Sequence, residues 1–149
     1  MPVRRMRAES QSPVVGKESV AVRQESRGPE SIRFSVPGYP VTTNQAYRRR
    51  KGYGMYMTEN AKQWKALIGV LGKRAMAGKA PLEGDIGVSL DLTFDTFRPD
   101  VDGPIKLVLD ALQGIAYKND RQVRAVSARK FKGEKPGTGI WVYSMEREP

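Results

Sequence analysis

Residues 87–120 read GVSLDLTFDTFRPDVDGPIKLVLDALQGIAYKND, and two periodicities meet inside them. Val88, Leu90, Leu92 and Phe94 alternate with Ser89, Asp91, Thr93 and Asp95, the two-residue period of a half-buried strand. Ile105, Val108, Leu109 and Leu112 then recur at i, i+3, i+4 and i+7, the apolar stripe of an amphipathic helix. Pro104 suits the first turn of that helix and Gly114 its end. The stretch between strand and helix is unusual for its carboxylates: Asp100 and Asp102 stand there, with Asp110 and Asp120 further on.

Outward from this centre, Ile32–Val36 alternates as a strand and stops before Pro37-Gly38. Residues 39–57, YPVTTNQAYRRRKGYGMYM, read as a long polar loop. Thr58 is placed to cap a helix from Glu59, in which Ala61, Trp64, Ile68, Leu71 and Ala75 share one side and Gly78 marks the stop. After a turn at Lys118-Asn119-Asp120 come strand-like runs at 122–131 and 140–145, joined by GEKPGTG. The predicted order is β-α-β-α-β-β, a small α/β domain of the α+β kind, with a mixed sheet flanked by helices and spanning residues 31–149. Residues 1–30 carry six basic and four acidic side chains and no aromatic residue, so they are expected to form a disordered tail.

Composition excludes whole classes of chemistry. The chain has no cysteine and no histidine. Disulfides, thiolate nucleophiles, Ser–His devices and imidazole metal ligands are therefore out of reach. Catalysis would have to run on carboxylates, lysine, hydroxyls or a hard ion with oxygen ligands, such as Mg²⁺ or Mn²⁺. The 26 Lys+Arg against 16 Asp+Glu give a formal net charge of +10, a surplus that favours a polyanionic partner. No apolar run approaches the ~20 residues of a membrane span, and residues 1–30 lack the apolar core of a secretory signal. A soluble, cytoplasmic chain with no membrane partner and no small-molecule cofactor is the expectation.

Each carboxylate has a plain alternative. Asp100 and Asp102 lie two apart, so in extended backbone both can face one ion. Asp102 also stands at a helix mouth, where Asp is a favoured cap, and its position alone reads more readily as a cap than as a ligand. Lys106 can reach toward the same end, but it also forms an i,i+4 pair with Asp110 on the exposed side. Asp110 lies two turns from Asp102, ~12 Å along the axis, which makes it structural. Asp120 is ordinary in a turn. What is less ordinary is the set: D-x-D, a lysine four residues on, and a third Asp eighteen beyond the second.

That set resembles the RusA family of Holliday-junction resolvases, whose members carry D-x-D-N-x-x-K, an apolar helix, an aromatic residue and D-D-x-Q-V. Asp100 and Asp102 match the two metal-binding aspartates, Asp120 the third, Lys106 the lysine needed for cleavage, and Gln122-Val123 the closing pair. Asn119 stands where an acidic residue is common, and Gly103 where the family has Asn. The segment VPGYPVTTNQAYRRRKG is similar to the family's proline-containing strand end followed by an Asn, here Asn44, and a basic, aromatic loop. The resemblance implies a homodimer, bacterial or phage-encoded. It would bind branched DNA and make paired nicks with Mg²⁺, for which Mn²⁺ can substitute.

Arg48, Arg49, Arg50 and Lys51, flanked by Tyr47 and Tyr53, are the expected backbone contacts, with the tyrosines able to stack on unpaired bases. Arg121, Arg124, Arg129, Lys130 and Lys132 are weaker candidates, and Met55, Met57 and Trp64 read as packing. Two other readings fit the charge: a non-catalytic basic module that recognises branched DNA, and a basic protein docking an acidic protein partner. A mere DNA binder would gain nothing from carboxylates beside phosphate.

Overall fold

The structure, a computed structural model, describes residues 30–52 and 54–145. The tail expected at residues 1–30, apart from Glu30, and the expected stacking residue Tyr53 lie outside the described residues. The elements run β1 (Ser31–Pro37), α1 (Thr43–Ala46), β2 (Tyr47–Arg50), β3 (Gly54–Met57), α2 (Glu59–Met76), β4 (Ile86–Phe94), α3 (Ile105–Leu112), a 3₁₀ turn (Asp120–Gln122), β5 (Val123–Lys132) and β6 (Gly137–Ser144). One four-stranded sheet has the order β1-β6-β4-β5. Strand β6 is antiparallel to both β1 and β4, whereas β4 and β5 are parallel and joined through α3. The expected small α+β domain with a mixed sheet is therefore what forms.

Strand β4 is the spine. Its apolar row Ile86, Val88, Leu90, Leu92 and Phe94 is buried, as are Ile32 and Val36 of β1 and Ile140 and Val142 of β6. That row faces Ile68 and Met76 of α2 and Leu107, Val108 and Leu112 of α3, so both helices cover one side of the sheet. Gly72 lets α2 approach α3 closely, since a Cβ there would stand 3.3 Å from the Leu112 side chain. Alternate residues of the strands, among them Arg33, Trp141, Ser127 and Arg129, point away from that core and are exposed.

The predicted strands and the two long helices all appear within a few residues of their expected bounds. Thr58 caps α2 by accepting the Ala61 N–H at 3.2 Å. The stretch read as a polar loop is different. It holds α1, closed by a Thr42/Gln45 capping box, and then a β2–β3 hairpin with Tyr47 opposite Met57 and Arg50 opposite Gly54. The hairpin escapes a periodicity reading because it is exposed on both faces beyond its base, so its sequence has no apolar alternation.

Candidate active site

The loop between β4 and α3 carries Asp100 and Asp102. It is held at its far end by α1: Gly103 C=O accepts from both the Thr43 N–H (2.9 Å) and the Thr43 hydroxyl (2.8 Å). Gly103 is what allows this. A Cβ there would lie 2.8 Å from Thr42 Cβ and 2.9 Å from Thr42 Cγ2, inside contact distance. The result is a hollow of about 460 Å³ lined by Thr42, Asn44, Gln45, Arg98, Asp100 and Asp102. The same turn that lines it runs directly into β2 and the arginines of the hairpin.

Asp102 also borders a second, shallower hollow of about 310 Å³, shared with Lys106, Asp110 and Asp120 along the flank of α3. Asp102 does not cap that helix: α3 has no side-chain cap, and Asp102 enters only through its backbone carbonyl, which accepts from Ile105 at 3.3 Å. Pro104 brings no N–H to be capped, which removes part of the reason for one. The i,i+4 pair foreseen for Lys106 does form, with its Nζ 3.5 Å from both oxygens of Asp110. At that length, and with the lysine 68% exposed, the pair is a loose one. Asp110, read from the sequence as structural, thus serves as a partner for Lys106 while facing the same hollow as Asp102 and Asp120.

Asp120 is held by a dense set of backbone bonds. Its N–H donates to Gln113 Oε1 at 2.9 Å, and Asn119 caps the 3₁₀ turn by accepting the Arg121 N–H at 2.9 Å. Gln122 ties the turn to the body of the domain. Its Oε1 accepts from Lys118 and Asn119, and its Nε2 donates to the carbonyls of Leu82 and Gly84. These four bonds to backbone are the task of Gln122. Below the turn, Tyr117 is fully buried and donates to Leu109 C=O at 2.7 Å. Burial, then the charges of Asp120 and Asp110, raise its pKa, so the phenol stays protonated.

The aspartates divide cleanly. Asp91 is bridged by Arg129 at 3.0 Å, Asp85 by Arg124 at 3.6 Å and Asp110 by Lys106. Asp95 lies by the Tyr39 hydroxyl, and its carboxylate raises the tyrosine's pKa above its ordinary 10.0. Asp100, Asp102 and Asp120 are exposed, and their carboxylates bond to no described residue. No group of three carboxylates is drawn together tightly enough to hold an ion among the described residues. The donor chemistry nevertheless suits a hard cation. Mg²⁺ usually takes one or two carboxylates and keeps several waters, and oxygen is the donor these hollows offer.

Of the basic residues, Arg48, Arg49, Arg50 and Lys51 lie exposed on the hairpin, where Arg50 stands 5.9 Å from the Tyr56 ring. Tyr47 is half-buried at its base, and Asn44 is exposed on α1. Met57 and Trp64 pack as expected, whereas Met55 is 59% exposed beside Arg49 and is not a packing residue. On β5, Arg124 and Arg129 are occupied by Asp85 and Asp91, and Lys130 by the carbonyls of Phe97 and Pro99. No helix among the described residues is long and apolar enough to cross a membrane.

The family model described as endodeoxyribonuclease RusA matches residues 37–143, which take in α1, the hairpin and both hollows. The chain is also 26% identical over 136 residues to the uncharacterized protein YqaN of Bacillus subtilis (strain 168), covering 76% of this chain and 96% of that protein. With a match that spans well over half of its length, the chain belongs to the RusA family of endodeoxyribonucleases.

Proposed function

We propose that this chain resolves four-way DNA junctions by paired, symmetric nicks, acting as a homodimer with Mg²⁺. The observation that carries the reading is the division of the aspartates: the three bonded to no described residue are Asp100, Asp102 and Asp120. An exposed carboxylate left beside a basic hairpin repels DNA unless a cation lies between them. Asp100, Asp102 and Asp120 would hold Mg²⁺, or Mn²⁺ in its place. When bound, the ion supplies a Lewis acid for the scissile phosphate and makes water a better nucleophile at neutral pH.

The chain's own residues do the rest. Lys106, loosely tied to Asp110, is free to turn its ammonium toward the phosphate or the departing oxygen, where charge builds during cleavage. Arg48, Arg49, Arg50 and Lys51 grip the phosphate backbone with no regard to sequence. Asn44 faces the hollow beside Asp100 and offers a neutral donor to a phosphate or a base edge. Tyr47, half-buried at the hairpin base, keeps part of its ring exposed, on which an unpaired base would stack. A two-fold dimer matches a two-fold junction and accounts for symmetric cuts. The bacterial or phage cytoplasm is the setting this reading implies.

Asp102→Asn tests it. Cutting is lost, while junction binding is kept or tightened because a repulsive charge is gone. A mutant that cuts at the normal rate removes Asp102 from the site. One observation favours a second reading, a non-catalytic module for branched DNA: no three carboxylates converge among the described residues. That reading predicts junction binding with no nicking under any divalent ion.

A further inference from the structure

Lys130 stands on β5 opposite Leu92 of β4, near the end of the sheet from which the Asp100 loop departs. It is half-buried, and its Nζ donates to two carbonyl oxygens, of Phe97 and of Pro99, each at 2.8 Å. The ammonium also lies 6.0 Å from the Phe97 ring. Two of its three donors are thus spent on the backbone just before Asp100. Four residues on, Thr43 holds Gly103 C=O from the other side with two bonds. The segment between carries Asp100 and Asp102, whose side chains bond to no described residue. Nothing but the backbone therefore fixes where those carboxylates point, and the backbone is fixed at its two ends.

We propose that Lys130 is a positioning residue: through the carbonyls of Phe97 and Pro99 it sets the loop so that Asp100 and Asp102 face the hollow. Its role is not to contact DNA, although it is one of the basic residues on the strand. The inference rests on the nuclease reading for its effect on cutting, but the clamp itself can be measured without it. Asp100 follows directly on a clamped carbonyl, so releasing the clamp moves the carboxylate by the order of 1 Å, enough to cost about a hundredfold in rate.

The test uses the full chain with Lys130→Met and Lys130→Arg. Amide hydrogen exchange over residues 96–103 is followed by mass spectrometry. Nicking of a four-way junction is titrated with Mg²⁺, and junction affinity is measured across salt concentrations. Lys130→Met is expected to speed exchange in that segment on the order of tenfold, as its charge-assisted bonds disappear. It slows nicking about a hundredfold and leaves the junction Kd and its salt slope unchanged. Lys130→Arg, which can still serve both carbonyls, restores most of the rate and the slow exchange. Unchanged exchange at 96–103 overturns the proposal. So does a salt slope lower by about one unit with weaker binding, the mark of a lysine that neutralises a phosphate. If wild type cuts no junction with any metal, the nuclease reading falls, and the exchange result still decides the clamp. Should Lys130→Met fail to fold, Lys130→Gln keeps one donor group and carries the same measurements.

Discussion

Gly103→Ala is the perturbation whose cost the structure states most plainly. The added Cβ would sit 2.8 Å from Thr42 Cβ and 2.9 Å from Thr42 Cγ2, with Asp100 C=O at 3.3 Å. Favourable carbon contact lies at roughly 3.5–4.0 Å, so about 0.7 Å must be found. Thr42 cannot rotate away, because its Cβ is one of the two clashing atoms and its hydroxyl is the α1 cap. The loop must instead shift off Thr43 and strain both bonds to Gly103 C=O. Overpacking of this kind costs about 1–3 kcal/mol, and for a domain of this size each kcal/mol lowers Tm by roughly 3–6 °C. Gly103 is not at a positive φ, so the penalty is steric crowding and not backbone strain. Removing the obstacle should therefore relieve it. Thr42→Gly alone costs only a few tenths of a kcal/mol, since glycine is tolerated as an N-cap. Combined with Gly103→Ala, it should recover about 1 kcal/mol or more in a double-mutant cycle read by chemical denaturation. Nicking by Gly103→Ala falls further than stability does, because the shift acts on the Asp100–Asp102 loop. A neutral Gly103→Ala, or additive effects of the two changes, refutes the close approach and with it the reason given for Gly at this position.

Other outcomes follow from the same geometry. Arg48→Ala, Arg49→Ala and Lys51→Ala together should weaken junction binding and flatten its salt dependence by about 0.9 for each phosphate no longer neutralised, seen as the slope of log K against log salt. Tyr117→Phe leaves Leu109 C=O without its 2.7 Å partner and should cost about 1–2 kcal/mol. Tyr117 keeps its proton to higher pH when folded than when unfolded. Its contribution is thus fully present below the ordinary 10.0 and is lost as pH rises above it. The stability gap between wild type and Tyr117→Phe, from denaturation at a series of alkaline pH values, should be constant below pH 10 and shrink above it. A gap that grows there contradicts the burial argument. Gln122→Ala should loosen the turn bearing Asp120 and lower activity more than Tm, because all four of its side-chain bonds go to backbone around that turn or to Leu82 and Gly84.

How much of this was legible from residues alone depends on where each apolar face is buried. Strand β4 buries one face completely, so its period of two is written plainly in the sequence. Helix α3 is legible as a helix, but the face it buries is Leu107, Val108, Ala111 and Leu112, rotated from the expected stripe, and Ile105 and Leu109 are half-buried beside Lys106 and Asp110. The β2–β3 hairpin buries only its base, so nothing forces alternation, and the segment reads as a loop. The segment does carry a local signal. Thr42-Thr43-Asn44-Gln45 fits the T-x-x-Q capping box that starts α1, and Gly52 and Gly54, both at positive φ, bracket the turn. At the site, the spacing of aspartates and lysine picked out the carboxylates that the fold leaves without partners among the described residues. Spacing could not tell a cap from a free carboxylate at Asp102, since both place Asp before a helix; that needed the geometry of Pro104 and Ile105. The tasks of Lys130, Gln122 and Thr43 were not legible at all, because each acts on backbone atoms between 31 and 60 positions away, or on both sides of a turn.

The nuclease reading rests on Asp100, Asp102 and Asp120 serving metal-dependent cutting of branched DNA. The decisive assay is nicking of a synthetic four-way junction beside a linear duplex of the same sequence. It is run with Mg²⁺, with Mn²⁺ and with EDTA, for wild type and Asp102→Asn. Paired nicks are expected on the junction alone, dependent on the metal and absent in the mutant. Tight junction binding with no cutting under any metal, or cutting that survives in Asp102→Asn, would show that these carboxylates do not do this work.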